Sequence, residues 1–224
     1  MPLMKQLQVP HLSNLEIKPS LSHISKILDL QKREYIGIAN WPQYNYKPEV
    51  SFSIAHYEHS IFLKYYITEN ETKAVYTEIN QPVYRDSCVE FFIGFGNNKE
   101  YYNFEFNSIG TCLAGFGAGR ENRKQLPAAV IGQIEFETFR HPTENQNCYW
   151  ELCLAIPASV FCYHNLSDLA GQSCKGNFYK CGDDLAQPHF LTWNNIKSKE
   201  PNFHLPQFFG EIILAHKPAQ INLI

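Results

Sequence analysis

Several large classes of protein leave marks that this chain lacks. Its seven cysteines, at positions 88, 112, 148, 153, 162, 174 and 181, include no C-x-x-C pair. Zinc sites usually show paired short spacings, and disulfide scaffolds an even count in a secreted chain. The expectation is therefore free thiols, buried or half-buried, in a reducing compartment. A basic excess is also missing. Lys and Arg number 19 against 22 Asp and Glu, a net charge of −3, which leaves no electrostatic footprint for nucleic acid. No apolar run approaches the length of a membrane span. The opening residues, Met1-Pro2-Leu3-Met4-Lys5-Gln6-Leu7, show no charged segment leading into an apolar one, so no signal peptide is visible. As written the chain is expected in the cytoplasm; a leader removed upstream would make it secreted or periplasmic.

Aromatic residues are what the chain has in excess: 16 Phe, 13 Tyr and 3 Trp in 224 residues. Most fit a β-sheet, where rings pack well on a pleated surface. Apolar residues alternate with period two through Val50, Phe52 and Ile54, then Ile61, Leu63, Tyr65 and Ile67. The pattern recurs at Val89, Phe91, Ile93 and Phe95, at Tyr102, Phe104 and Phe106, at Ile134, Phe136 and Thr138, and at Trp150, Leu152, Leu154 and Ile156. Gly, Pro and Asn clusters separate these runs. Together they predict an all-β fold, an antiparallel β-sandwich of jelly-roll or immunoglobulin-like type. One short N-terminal helix is expected over Leu21 to Leu30, where Ile24, Ile27 and Leu28 share a face and Ser20 or Ser22 offers an N-cap. A further strand is predicted through Leu15-Glu16-Ile17, and a helical turn at Pro157 to Phe161. Residues 1–34 are read as an extension packing on the sandwich and 35–224 as the sandwich itself.

Two features stand out against this frame. Asn103, Glu105 and Asn107 put amides and a carboxylate on one face of a strand whose other face is aromatic. A solvated face accounts for such a pattern, but the same groups suit paired recognition of hydroxyls. Secondly, rings, amides and charges crowd Asn177 to Asp183, His189 to Trp193 and Phe203 to Gly210. Flat apolar faces and polar groups in one region are what gripping a sugar requires.

From Asp86-Ser87-Cys88-Val89-Glu90 onwards the chain resembles the family 9 carbohydrate-binding modules, particularly their stand-alone relatives. Supporting segments occur in the family's order: Pro48 to Phe52, Tyr102 to Asn107 with Gly110, Trp150-Glu151-Leu152 with Ile156-Pro157, Thr192-Trp193, and Pro206 to Gly210. The resemblance covers about residues 35 to 215 and implies a β-sandwich that binds xylan- or glucan-type chain ends and small sugars in polysaccharide breakdown. It also implies a ring clamp with polar side chains at its edge. Position by position, Glu90 and Asn107 match polar binding residues. Glu105 stands where the family has arginine, reversing the charge, and Arg120 or Arg123 could replace that cation. Phe203 falls at one clamp position; the other falls near Val83, with Tyr84 the nearest ring. The carbohydrate-binding set is thus Tyr84, Glu90, Glu105, Asn107, Arg120 and Phe203, with no catalytic residue. The expected partners are an oligo- or polysaccharide and a separate glycoside hydrolase. Calcium is the one cofactor the resemblance brings.

Other residues carry competing readings. Asp183 and Asp184 offer oxygens to calcium, but without a loop of alternating acidic ligands. Asp86 reads as a turn residue, Trp193 as core, and Trp41 as either a stacking ring or an edge plug. His56 and His59 read as surface residues. An alternative function is xylanase-type hydrolysis of O-glycosyl bonds, with Glu90 and Glu105 as the carboxylate pair. A haem-binding sandwich is a third reading, weakened because Met1 and Met4 are the sole methionines and no histidine stands in a pocket context.

Overall fold

The computed structural model describes residues 4–13, 15, 19–96, 99–142 and 147–218. In chain order its strands and helices are β1 (Gln6–Val9), α1 (Leu21–Asp29), β2 (Glu34–Tyr35), β3 (Ile38–Ala39), β4 (Glu49–Tyr57), β5 (Ser60–Glu69), β6 (Cys88–Phe95) and β7 (Tyr101–Asn107). There follow β8 (Cys112–Gly117), β9 (Lys124–Gln125), the short helix α2 (Ala128–Ile131), β10 (Glu135–Pro142), β11 (Cys148–Pro157), β12 (Ser173–Cys181), β13 (Phe190–Thr192) and β14 (Gly210–Leu214). The larger sheet runs β1-β14-β12-β6-β7-β8-β9, with β13 and β3 branching from β12; the smaller runs β10-β11-β5-β4-β2. Two sheets face to face form the predicted sandwich. Pairing is antiparallel except where β1 runs parallel to β14. Residues 16 and 17 of the strand expected at Leu15 to Ile17 lie outside the described residues.

The alternating positions supply the space between the sheets. Val89, Phe91 and Ile93 of the large sheet meet Phe52, Leu63, Tyr65 and Leu152 of the small one. Phe178 ties them together, stacked on Phe52 at 3.9 Å and on Phe91 at 4.8 Å. One ion pair sits among these rings. Lys180 Nζ lies 2.8 Å from Glu69 Oε2, both side chains fully buried, and so joins β12 to β5. Its other protons go to the Cys181 carbonyl and to His189 Nε2, both at 2.9 Å. His189 Nδ1 lies 2.9 Å from the Gln187 carbonyl, so the ring is the tautomer protonated at Nδ1. Burial and the Lys180 charge lower this histidine to about 3. Trp150 Nε1 completes the cluster by donating to Glu69 Oε1 at 2.6 Å.

Both outer faces are covered, which the simple apolar-in, polar-out pattern does not reveal. On the small sheet α1 lays Leu21, Ile24 and Leu28 over Ala55, Phe62 and Cys153. The helix begins where Ser20 Oγ accepts the His23 N–H. Lys64 under it pairs with Asp29 at 2.7 Å and Glu151 at 2.8 Å. His56, expected at the surface, is fully buried in β4, with Nε2 2.9 Å from the Ala215 carbonyl. Its lowered value, about 4, follows from that burial and the neighbouring His11. The helical turn expected near Pro157 is present at Ala158–Val160.

Removing one partner of the buried pair would strand the other charge. Lys180→Met is expected to cost about 3–5 kcal/mol in denaturant unfolding followed by tryptophan fluorescence, while Lys180→Met/Glu69→Leu should recover most of it. A single variant as stable as the parent would show that the pair carries no such load.

Candidate functional site

The outer face of the large sheet carries the site. Alternation along β6 sends Cys88, Glu90 and Phe92 outward while Val89 and Phe91 enter the core. Register then sets Glu90 directly opposite Glu105 of β7 on one side and Tyr179 of β12 on the other. Residues after β13 fold back over this surface. Ile196, Phe203 and Phe209 pack with Trp41, Phe92, Tyr101 and Tyr179 in a second apolar cluster. Phe203 is laid flat on Tyr179, centroids 4.2 Å apart and planes within 6°, and its carbonyl accepts the Tyr179 hydroxyl proton at 3.1 Å. Trp41 plugs the rim, its indole N–H donating to the Ser198 carbonyl.

Between this roof and the sheet lies a cavity of about 250 Å³. Its walls carry the rings of Tyr84, Phe190 and Phe203, the carboxyl groups of Glu90, Glu105 and Asp183, the amides of Asn103 and Asn202, the cations of Arg120 and Arg123, and the His204 imidazole. That volume is below the roughly 300–1,000 Å³ of drug-sized sites. It fits one small polar ring.

Arg123 does not reach into this space with a free donor. Its Nε bonds to Asn103 Oδ1 at 2.8 Å, and its terminal nitrogens are taken by the carbonyls of Tyr101, Gly115, Gly117 and Gly119. The guanidinium also lies over the Tyr101 ring, 4.4 Å from its centroid. Five donors in a rigid fork are thus all committed. The effect passes through Asn103, whose Nδ2 donates to Glu105 Oε1 at 2.9 Å. Glu105 Oε2 is buried and has no hydrogen-bond partner among the described residues. Glu90 Oε1 lies 3.1 Å from Cys181 Sγ, which donates to it.

Two carboxyl groups side by side in a dry floor disfavour their charged forms. Burial holds Glu90 well above the carboxylate range, and the facing Glu105 adds to this. Burial pushes Glu105 to about 7, against the lowering effects of the Asn103 hydrogen bond and the Arg123 charge. Asp183 is raised to about 6 by burial and by Asp184. His204, lowered to about 3 by burial and the two arginines, is neutral at physiological pH, with Nδ1 3.0 Å from the Tyr101 hydroxyl.

Of the residues expected from sequence, Tyr84, Glu90, Glu105, Arg120 and Phe203 come together around the cavity. Arg120 stands exposed at its edge. Asn107 does not join them. It is fully buried, its Oδ1 accepting the Ile109 and Thr111 N–H groups and its Nδ2 donating to Asp86 Oδ2 and the Tyr76 carbonyl. It closes the β7–β8 turn, where Gly110 has φ +86°. Asp86 likewise organises backbone, accepting from Val75 and Tyr76. Asp183, read from the sequence as offering an oxygen to calcium without a ligand loop around it, lines this cavity. Cys181 and His204 lie in the segments singled out from sequence but were not assigned to the binding set, and Asn202 was not anticipated; its adjacency to Phe203 was the available signal.

Comparison with known proteins follows the same line. The profile of carbohydrate-binding family 9 matches residues 22–214. A crystallised protein of Bacteroides uniformis ATCC 8492, provisionally assigned to carbohydrate binding, is 36% identical, the match covering 95% of this chain and 100% of that one with a TM-score of 0.87. Two structures of a family 9 carbohydrate-binding module from Caldicellulosiruptor kristjanssonii, one with glucose and one with cellotriose, share the fold at 11% and 12% identity and TM-scores of 0.64. They cover 97% and 98% of this chain, and 100% and 98% of their own. No curated protein matches.

The raised Glu105 gives a signed expectation. Its folded value lies above the unfolded one, so its carboxyl keeps a proton that the unfolded chain has lost, and stability falls as pH rises from about 4.5 to 7. Glu105→Gln should therefore leave stability nearly unchanged at pH 5 and raise it at pH 8, by at most about 3 kcal/mol. Thermal unfolding at the two pH values measures this; equal effects at both would refute the assignment.

Proposed function

The chain belongs to carbohydrate-binding family 9, and from that premise we propose that the roofed cavity over β6, β7 and β12 binds one neutral sugar unit without cleaving it. The observation that carries this reading is Glu105 Oε2, a buried carboxyl oxygen without a hydrogen-bond partner among the described residues, in a ring-walled cavity. An unpaired buried polar group costs stability, and a ligand hydroxyl, which both donates and accepts, removes that cost when placed there. Tyr84 and Phe190 offer apolar surface for the C–H side of a pyranose, with little side-chain entropy to lose. Glu90, Asp183, Asn103 and Asn202 supply further acceptors and donors around the ring's edge.

The occupant we favour is the terminal unit of a gluco- or xylo-oligosaccharide. A cavity with room for a single ring recognises an end and not the middle of a chain. In this reading the protein serves polysaccharide breakdown beside a separate glycoside hydrolase. Hydrolysis by Glu90 and Glu105 themselves is less well supported. A glycosidase pair flanks the scissile bond, one group to protonate and one ionised. Here both carboxyl groups share one floor on neighbouring strands, and burial disfavours ionisation of each.

Calorimetry with glucose, cellobiose, xylose and xylobiose at millimolar concentration tests the proposal. Binding to at least one is expected, weakened at least tenfold (about 1.4 kcal/mol) by Tyr84→Ala and by Glu105→Gln. Asn107→Ala should lower thermal stability yet leave the affinity of the folded protein within about twofold. No heat with any of the four sugars, or reducing ends released from the disaccharides, would overturn it.

A further inference from the structure

Beneath the cavity the sheet brings two cysteines and a carboxylate into one cluster. Cys88 and Glu90 are two apart on β6 and share its outer face, while Cys181 of β12 stands directly opposite Cys88. The three donor atoms lie within 4.8 Å of one another, and Cys181 Sγ is 3.1 Å from Glu90 Oε1. All three residues are buried. Glu90 and Cys181 also line the cavity.

We propose that Cys88, Cys181 and Glu90 hold a thiophilic divalent cation of the zinc class, with its remaining coordination position turned towards the cavity. Around tetrahedral zinc, with bonds of about 2.0–2.3 Å, donor atoms stand about 3.3–3.8 Å apart. The cluster needs only small side-chain shifts to reach that spacing. Two sulfurs select a soft cation; calcium, which takes six to eight oxygens, is a poor match for this donor set. Binding would release the two thiol protons and the Glu90 carboxyl proton to solvent. Two thiolates and a carboxylate exceed the ion's charge by one, and the Lys180 charge, which acts on both cysteines, provides compensating positive potential. No short cysteine spacing announces the site, because strand pairing and not local sequence assembles it.

The proposal does not rest on saccharide binding, and its test needs no sugar. Metal-free full-length protein is titrated with Co²⁺ under anaerobic conditions and then with Zn²⁺. One equivalent of Co²⁺ should produce a thiolate-to-cobalt charge-transfer band with intense tetrahedral visible bands, displaced by Zn²⁺. The signal should persist in Cys148→Ser/Cys162→Ser, which removes the two more accessible thiols, and Co²⁺ affinity should fall at least a hundredfold in Cys88→Ser/Cys181→Ser. Should that last variant fail to fold, X-ray absorption of the zinc-loaded parent decides, with two sulfur neighbours expected. Absence of the band, its loss only in Cys148→Ser/Cys162→Ser, or a zinc shell without two sulfurs would overturn the proposal. So would a Cys88–Cys181 disulfide in anaerobically purified protein.

Discussion

The stack of Phe203 on Tyr179 is the contact on which the rest of the site depends. A β-sandwich normally leaves the outer face of each sheet to water. Here a ring delivered from the far end of the chain lies flat on a strand residue and hydrogen-bonds to it through its own carbonyl. That contact fastens the segment around residues 195–209 over β12, β6 and β7. What would have been a solvated ribbon of carboxylates and amides becomes the floor of a partly roofed pocket. The raised carboxyl groups, the neutral His204 and the fully committed Arg123 all follow from that exclusion of water.

Charge is handled differently on the two sides of the large sheet. Inward, Lys180 meets Glu69 at contact distance and also donates to the Cys181 carbonyl and to His189 Nε2, so a buried charge is paired with an opposite one and held by neutral acceptors. Outward, Glu90 and Glu105 face each other, and the Arg123 guanidinium reaches Glu105 through its charge and through the Asn103 amide, without a direct hydrogen bond. The inner cluster is a joint between sheets. The outer one keeps acceptor capacity in reserve, at a cost to stability, which is the usual signature of a surface kept for a ligand.

Much of the fold was legible in the sequence because it rests on local rules. Period two marked β4 to β7 and β11, and Ser20 followed by Ile24 and Leu28 marked α1. Matching the family's motifs in order picked out Glu90, Glu105 and Phe203, with Tyr84 as the ring nearest a clamp position and Arg120 as a loop cation in place of the family's arginine, and all five line one cavity. What was not legible depended on the third dimension. Asn103, Glu105 and Asn107 read identically along the strand, yet the turn backbone captures Asn107 while the other two reach the cavity. His56 read as surface because nothing in its neighbourhood announces that residues 10 and 215 close over it. The pairing of Cys88 with Cys181 was equally hidden, since it depends on the register of strands far apart in the chain.

The one parallel pairing in the large sheet has a consequence for assembly. Leu7 and Val9 of β1 are buried, yet their partners Ile212 and Leu214 are among the last residues described. On the ribosome that edge of the sheet cannot close until β14 has emerged, after all the strands that lie between it and β1. β1 therefore waits for a partner far along the chain, and its apolar side chains must stay shielded by other means until then.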